Sequence, residues 1–293
     1  MKLLFLLSLP LLILPGLSYA ESTEAPDAFD NGLKAYNNGN LSRAMTWFLK
    51  ASAEGDGQAE RYIGSFYYTG KGVKQDFKEA LKWYQKSADD GDAYSEVHIG
   101  DCYVRGEGVK TDYKEAMKWY QKAADQGSLV AQTNIGLLYA KGLGVKQDYS
   151  EAMKWYLKAA HKSNANAQFC IGTLYARGFG VPVDYKTAMK WYVKSAAQGS
   201  TRAQNNIGCH YQNGLGVQQD YSKAHMWYER AAKRGDPNSQ EGLGELYENG
   251  WGVPQSLPRA MSWYQKAADQ GNKSAIKKLE DFKKQNENGI KSK

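Results

Sequence analysis

The amino-acid sequence predicts an all-α fold in which antiparallel pairs of helices stack one after another. Tryptophan recurs seven times at a fixed step of 36 residues, at Trp47, Trp83, Trp119, Trp155, Trp191, Trp227 and Trp263. Glycine and tyrosine keep the same step six times each, at Gly64, Gly100, Gly136, Gly172, Gly208 and Gly244, and at Tyr67, Tyr103, Tyr139, Tyr175, Tyr211 and Tyr247. A strict period of this length is typical of repeat architectures, in which each unit packs mainly against its neighbours.

The first 20 residues, MKLLFLLSLPLLILPGLSYA, predict a cleaved secretory signal. Lys2 supplies an early positive charge, residues 3–14 form an apolar run, and small residues stand at Ser18 and Ala20, where a signal peptidase reads the chain. The apolar run is too short to cross a bilayer, and an uncleaved anchor is the alternative interpretation. We therefore expect an exported protein of the periplasm or the extracellular space, without stable membrane insertion.

The charged residues are spread along the chain and do not form blocks. The formal net charge is +7, from 38 Lys and Arg against 31 Asp and Glu. Interspersed charges indicate solvated helix faces, and an exported protein does not normally meet nucleic acid. We expect no nucleic-acid partner and only a mild attraction to acidic partners.

One unit, taken over residues 131–163, contains two predicted helices. In the first helix, Ile135 and its apolar neighbours share one face. Gly136 lies on the same side and has no side chain, so a neighbouring helix can approach closely there. Gly142 and Gly144 then end the helix, because glycine adopts the left-handed conformation of a C-terminal cap without penalty.

The second helix of this unit begins after Asp148, which we predict to be its N-cap, with Glu151 completing a capping box. Ala152 and Tyr156 share one face, and Trp155 lies beside it. We interpret the repeated Asp-x-x-Glu pairs as caps rather than catalytic acids, and the aromatic side chains as core rather than ligand platforms. A single helix pair cannot bury its own apolar face, so each unit needs a neighbour at a fixed geometry.

The repeated pattern A-x-x-x-I-G-x-x-Y-x-x-G-x-G-V-x-x-D-Y-x-x-A-x-x-W-Y-x-x-A-A-x-x-G closely resembles the Sel1-like repeat family, a branch of the tetratricopeptide-like superfamily. The match covers residues 61–276 as six consecutive units. The resemblance implies a right-handed α-solenoid whose concave groove is lined by the first helices and binds a protein or peptide partner. It also implies an adaptor role, in envelope signalling or in contact with host cells for exported bacterial members.

The two ends of the array depart from the pattern. We assign residues 21–28 to a linker and residues 29–60 to a divergent first repeat, which lacks four loop residues and resembles a plain tetratricopeptide unit. Residues 277–293 are predicted to form a capping helix and a tail that frays from residue 287. In that segment we expect Ile276, Leu279 and Phe282 to pack.

The resemblance places the residue five positions after each conserved glycine in the groove. That position reads Thr69, Arg105, Lys141, Arg177, Asn213 and Asn249, and the last unit adds the acidic residues Glu241, Glu245 and Glu248. The predicted partner-binding residues are Arg105, Lys141, Arg177, Asn213, Asn249 and Glu245. We expect an acidic segment or a C-terminal carboxylate to bind the three cations. Solvated cations, favoured electrostatically at helix C-termini, are the alternative.

No pattern in the sequence predicts a cofactor, a metal site or a catalytic group. The four histidines follow no ligand spacing, and Cys209 and His210 point about 100° apart on a helix. The three cysteines form at most one internal disulfide, or are small buried thiols. Cysteine-rich relatives linked to β-lactam binding and hydrolysis have a cysteine pair in each repeat, which this chain lacks. We expect a non-catalytic adaptor; an envelope enzyme or β-lactam-binding protein is the alternative.

Overall fold

The computed structural model describes residues 27–291, with side chains to residue 284, and contains fifteen α-helices and no β-strand within that part of the chain. The predicted signal of residues 1–20 and most of the predicted linker lie outside the described residues. The helices are α1 Ala28–Asn37, α2 Leu41–Ala53, α3 Gly57–Thr69, α4 Phe77–Asp89, α5 Ala93–Arg105, α6 Tyr113–Asp125, α7 Leu129–Lys141, α8 Tyr149–His161, α9 Ala165–Arg177, α10 Tyr185–Ala197, α11 Thr201–Asn213, α12 Tyr221–Ala232, α13 Pro237–Asn249, α14 Leu257–Ala268 and α15 Lys273–Lys291.

The helices pack in the order in which they follow one another, each against the one before and the one after. The odd-numbered helices α1 to α13 are the first helices of seven units, the even-numbered helices are their second helices, and α15 follows the last unit. This arrangement confirms the predicted all-α solenoid of helix pairs. Helices α1 and α2 are joined by residues 38–40, whereas α3 and α4 are joined by residues 70–76, so the four loop residues missing from the first unit shorten its connection.

The core of each unit forms where the second helix crosses the glycine of the first. A Cβ atom at Gly136 would lie 2.6 Å from the Tyr156 ring, which is 2% exposed, so the absent side chain allows the close approach that the sequence predicted. Trp155 of the same second helix packs on a cluster that includes Tyr120 and Ile135. Since Tyr120 belongs to the preceding unit, the cluster crosses the unit boundary and the core is continuous.

The second helices α4, α6, α8, α10 and α12 begin with an aspartate cap, but in α8 only half of the predicted capping box forms. The Asp148 side chain accepts a hydrogen bond from the Glu151 backbone N–H at 2.9 Å. Glu151 does not return the bond, because its carboxylate pairs with Lys154 Nζ at 2.8 Å. The Asp148 N–H instead donates to the Tyr139 carbonyl at 3.0 Å, which closes the loop between the two helices. A backbone acceptor within the unit therefore takes the place of the expected glutamate.

The loop between α7 and α8, like its equivalents in the other units except the first, contains two glycines with different roles. Gly142 has φ +65° and caps α7 in the left-handed conformation, as predicted. Gly144 has φ +71°, and a Cβ atom there would lie 2.7 Å from the Tyr113 carbonyl carbon and 2.9 Å from the Lys114 nitrogen. These two atoms begin the second helix of the preceding unit. Gly144 is therefore a contact between units as well as a helix terminator.

The C-terminal helix differs from the prediction at two points. Leu279 and Phe282 pack against Tyr264 and Ala275 as expected, but Ile276 is 38% exposed, so its predicted packing is wrong. The cause is register: the fully buried Ala275 occupies the small-residue position of the repeat, and the next residue then faces outward. The helix also continues to Lys291, into the segment predicted to be frayed. None of the described helices is long and apolar enough to cross a membrane.

Candidate partner-binding surface

The first helices of neighbouring units touch each other directly and form one continuous face, which we call the first-helix surface. Asn134 Nδ2 on α7 donates to Asp101 Oδ1 on α5 at 3.3 Å. Ser239 Oγ on α13 donates to Asn205 Oδ1 on α11 at 3.1 Å. Such bonds fix the spacing of successive first helices, so that equivalent positions lie in rows across the units.

The three predicted cations are the last residues of α5, α7 and α9, and all three are exposed. Lys141 and Arg177 make no hydrogen bond or ion pair with the described residues, so both remain open to a partner. Arg105 is held in place, because its Nη1 donates to the Tyr68 hydroxyl at 2.9 Å and lies 3.9 Å from the Glu107 carboxylate. The three cations thus occupy equivalent positions at the ends of α5, α7 and α9, and we call them the cationic row. Arg105 is oriented by contacts within the chain, whereas Lys141 and Arg177 have no hydrogen bond or ion pair with the described residues.

Tyr68 links Arg105 to a carboxylate. Its hydroxyl donates to Glu107 Oε2 at 2.7 Å while it accepts from Arg105. Burial raises the pKa of Tyr68 above its ordinary value, and the hydrogen bond to Glu107 raises it further. The phenol stays protonated at neutral pH, so this chain of contacts orients the guanidinium without removing its charge.

The remaining predicted partner-binding residues have local roles in the structure. Asn213 and Asn249 are exposed, and each side-chain amide donates to a carbonyl one turn back in its own helix at 2.9 Å, to Cys209 and Glu245 respectively. These bonds satisfy carbonyls at the helix C-termini. The Glu245 carboxylate accepts from Gln212 Nε2 at 3.2 Å.

Each carboxylate of the predicted acidic patch has a partner within the chain, but only Glu248 is paired with a cation. Glu248 accepts from the Tyr264 hydroxyl at 2.5 Å and pairs with Lys278 Nζ at 2.9 Å. Glu241 accepts from Asn272 Nδ2 at 3.0 Å. These partners lie 16 to 31 residues away in sequence, so the spacing within one repeat does not indicate them.

An aromatic cluster on the first three units was not predicted from the sequence. Tyr36, Tyr62 and Tyr94 come from α1, α3 and α5 and line a cavity of about 290 Å³ together with Arg61. The Arg61 guanidinium lies 5.3 Å from the Tyr62 ring and 5.4 Å from the Tyr94 ring, and its Nη1 is 3.4 Å from Asp92. The sequence offered a signal for two of them, since Tyr36 and Tyr94 lie at exposed positions of first helices, whereas Tyr62 also packs on the core beside Phe48.

The middle of the first-helix surface is apolar next to the free cations. On α7, Val130 is 52% exposed and Leu137 is 39% exposed. Leu137 precedes Lys141 by four residues, so the two side chains share one face of the helix. The surface thus presents apolar side chains beside an unpaired positive charge.

The thiols have the surroundings of structural cysteines. Cys102, Cys170 and Cys209 are all free, and burial raises the pKa of each, to about 12 for the fully buried Cys102. The Cys209 sulfur accepts from the Tyr228 hydroxyl at 3.2 Å, whereas His210 Nδ1 is bonded to the Leu215 carbonyl at 2.9 Å. Cys209 and His210 therefore have separate partners and do not form a nucleophile–base pair.

We expect the folded protein to resist thiol labelling, because only the thiolate reacts and burial disfavours it. At pH 8, modification by Ellman's reagent should be at least about 10-fold slower for the native protein than for protein in 6 M guanidinium chloride. Mass spectrometry should find Cys102 labelled last. Native labelling at the rate of the unfolded chain would contradict this assignment.

Within the described residues, no group of three or more His, Cys, Asp and Glu side chains is arranged to hold a metal ion. The histidines are distributed over the array: His98 stacks on Tyr84, and His225 lies 3.3 Å from the Tyr247 hydroxyl. Burial lowers the pKa of both imidazoles, so they are neutral at pH 7.

Comparison with known proteins adds the following matches. The family model described as Sel1 repeat matches seven segments, residues 28–56, 57–92, 93–128, 129–164, 165–200, 201–236 and 237–272. The structure of a Sel1 repeat protein from Oxalobacter formigenes is 39% identical with a TM-score of 0.77, and the match covers 82% of this chain and 98% of that one. No curated protein matches the chain.

Two further structures are similar to different degrees. A protective antigen present in uropathogenic Escherichia coli strains, which displays an SLR fold, is 36% identical with a TM-score of 0.69 over 85% of this chain. The chain spans 54% of that antigen's length. An immunity protein from Pseudomonas aeruginosa is 17% identical with a TM-score of 0.52, over 73% of this chain and 81% of its own, and shares the fold alone. These matches give no support to the β-lactam-binding alternative.

Proposed function

As the chain belongs to the Sel1 repeat family, we propose that it is a non-catalytic scaffold that binds a protein partner on its first-helix surface. The Sel1 repeat is a scaffold fold typical of protein–protein interaction. Its continuous core holds successive first helices at fixed spacing, so a partner can contact several units at once. The proposal further names the partner's chemistry and the residues that recognise it.

One observation supports this choice of surface most strongly. Lys141 and Arg177 end consecutive first helices without any intramolecular hydrogen bond or ion pair among the described residues, and Leu137 is exposed on the same face as Lys141. Arg105 continues the row and is oriented by Tyr68. An extended acidic segment, or a C-terminal carboxylate preceded by apolar side chains, has the complementary chemistry.

Charge reversal tests the cationic row. We expect the K141E/R177E variant to bind its partner at least about 10-fold more weakly, because each cation lost removes a charge-assisted hydrogen bond. The partner is first identified by photo-crosslinking from Leu137 in producing cells and mass spectrometry, and its Kd is then measured by calorimetry. The melting temperature should fall by only a few degrees, because neither side chain has an intramolecular partner and only the favourable charge at each helix C-terminus is lost.

A matched variant controls for the change in net charge. K78E/K114E reverses two exposed lysines at equivalent positions of consecutive second helices, with the same total charge change. This variant should bind the partner as the unaltered protein does. Equal Kd values for K141E/R177E and the unaltered protein would refute the cationic row while leaving the scaffold assignment in place.

We also propose that the scaffold acts after export, in the periplasm or outside the cell, in envelope signalling or contact with a host. Residues 1–20 have the layout of a cleaved signal, and one similar structure is described as a protective antigen. Cell fractionation should find the protein outside the cytoplasm with a new N-terminus at Glu21. A variant lacking residues 2–20 should remain in the cytoplasm; export of that variant would contradict the proposal.

A further inference from the structure

The second helices carry a recurrent set of neutralising contacts. Lys82, Lys118 and Lys154, at equivalent positions of α4, α6 and α8, pair with the glutamates three residues earlier at 2.7 Å, 2.7 Å and 2.8 Å. A second contact recurs one turn later, where Gln85, Gln121 and Gln265 donate to the aspartates four residues on at 2.8 Å, 2.7 Å and 2.7 Å. Helices α4 and α6 have both contacts, which make their exposed faces polar and reduce their net charge.

Helix α10 has lost all of these contacts. Thr187 stands where α4, α6 and α8 have glutamate, and Val193 and Ala197 stand where α4 and α6 have the glutamine and the aspartate. The helix contains Lys186, Lys190 and Lys194 and no acidic residue, a side-chain charge of +3, whereas α4 has three lysines against two acids, +1. Helix α2 also lacks these three residues, but it has only two basic residues, and its Lys50 lies 3.9 Å from Glu54. Among the described second helices, only α10 combines three lysines with no acidic residue, so α4 and α6 serve as internal references.

The lysines of α10 are not neutralised by other parts of the chain. Lys186 and Lys190 are exposed and make no hydrogen bond or ion pair with the described residues. The nearest acid on this element is Asp184, the N-cap, whose Oδ2 accepts from the Thr187 hydroxyl at 2.7 Å and whose Oδ1 accepts from the Thr187 N–H at 2.9 Å. These bonds hold the pKa of Asp184 below its usual value and keep its oxygens directed at the helix start.

Two of these lysines border an apolar depression of about 510 Å³, which is lined by Thr187, Met189, Lys190, Trp191, Val193 and Lys194. We call these six residues the α10 patch. Val193 is 45% exposed, whereas Met189 is 8% exposed and forms the floor. Lys194 Nζ lies 4.4 Å from the centre of the Trp191 ring, and this cation–π contact holds the charge at the rim.

We propose that the α10 patch is a second docking surface, which binds an acidic amphipathic segment of a partner protein. An apolar side chain of that segment fills the depression, and two carboxylates pair with Lys190 and Lys194. Charge complementarity is the basis of this choice, because two cations without an ion pair among the described residues, Lys190 and Lys194, line an uncovered apolar site. A recessed site also suits a projecting side chain of a partner better than a flat lipid surface, into which the protein would have to insert its own apolar residues.

This surface is separate from the cationic row of the first helices, since α10 is a second helix. The scaffold would therefore hold two partners, or two segments of one partner, on different helix sets. Each docking event can be removed without the other. The proposal goes beyond the binding function proposed above and does not depend on it.

Selection of random peptides on the full chain tests the proposal. Among the phage-displayed 12-residue peptides selected on the full chain, we expect one group that competes mutually for the α10 patch. Peptides of this group should contain Asp or Glu on both sides of an apolar residue. The T187E/V193Q/A197D variant restores the residues found at equivalent positions of α4 and α6, so it should fold normally and bind the selected peptides at least 10-fold more weakly by fluorescence anisotropy. K190E/K194E should show the same loss.

Two matched variants complete the experiment. K114E/K118E, which makes the same charge change on α6, and K141E/R177E on the first helices should both bind these peptides as the unaltered protein does. Selection of no peptide, of peptides without acidic residues, or of peptides that bind T187E/V193Q/A197D equally well would overturn the proposal. Binding of vesicles containing 30% phosphatidylglycerol that disappears in T187E/V193Q/A197D would also overturn it, in favour of a membrane surface.

Discussion

Replacing Tyr156 with alanine is expected to lower the free energy of unfolding by about 3–5 kcal/mol, the cost of deleting a large buried aromatic side chain. The ring is 2% exposed and lies against Gly136, which has no side chain to move into the space left behind. The resulting cavity would lie in the fourth of the seven units, in the middle of the continuous core. Urea unfolding followed by circular dichroism measures the loss, and a reduced slope would show that the array now unfolds in parts.

The Tyr156→Phe variant is the control for this prediction. It keeps the ring and removes only the hydroxyl, which interacts with the Cys170 thiol. Loss of this polar interaction should cost about 0.5–1.5 kcal/mol. If phenylalanine and alanine at this position were equally destabilising, ring packing on the glycine would not be the source of stability.

The second large effect is expected at the boundary between units. Gly144→Ala should destabilise the protein by about 2–5 kcal/mol, from about 1–2 kcal/mol for the left-handed conformation and about 1–3 kcal/mol for overpacking. The added methyl group would press on backbone atoms of Tyr113 and Lys114, 2.7 Å and 2.9 Å away, which cannot move aside as a flexible side chain can. Equilibrium unfolding in urea gives the value.

A second glycine separates the two contributions. Gly127 also has a positive φ, +90°, but a Cβ atom there would meet nothing within 4 Å. Gly127→Ala therefore tests the backbone conformation alone and should cost about 1–2 kcal/mol. Equal losses at both positions would mean that the loop contact does not hold adjacent units together.

The fold could be predicted because its determinants recur in the sequence. The step shared by the tryptophans and glycines defines the unit, and helical spacing predicted the close helix approach at Gly136 and one face containing Ala152 and Tyr156, which are 0% and 2% exposed. The sequence did not predict contacts correctly where the 36-residue period gives no information about them. Ile276 lies beyond the last complete unit, and the bond from the Asp148 N–H to the Tyr139 carbonyl depends on how the loop closes.

The positions of the candidate residues could be predicted from the sequence, but their hydrogen bonds and ion pairs could not. Periodicity placed Arg105, Lys141 and Arg177 at the ends of three successive first helices, as the structure has them. That Arg105 is held by Tyr68 while the other two are free depends on contacts between units, 37 residues apart in this case. The α10 patch could have been found by aligning the units and asking where all three lysines are kept while the acidic residues are missing, a comparison that needs no coordinates.

The contact between Gly144 and the backbone of Tyr113 has an evolutionary consequence. Because a contact of this kind is made to main-chain atoms, it keeps the angle between adjoining modules the same whatever side chains the modules have on their surfaces. Single modules can then be duplicated, exchanged or resurfaced without disturbing the register of the rest, and recognition can diversify one module at a time. Transplanting α9 and α10 together with their loops into another position of the array should therefore yield a folded protein in which the basic row and the α10 patch have moved along with them.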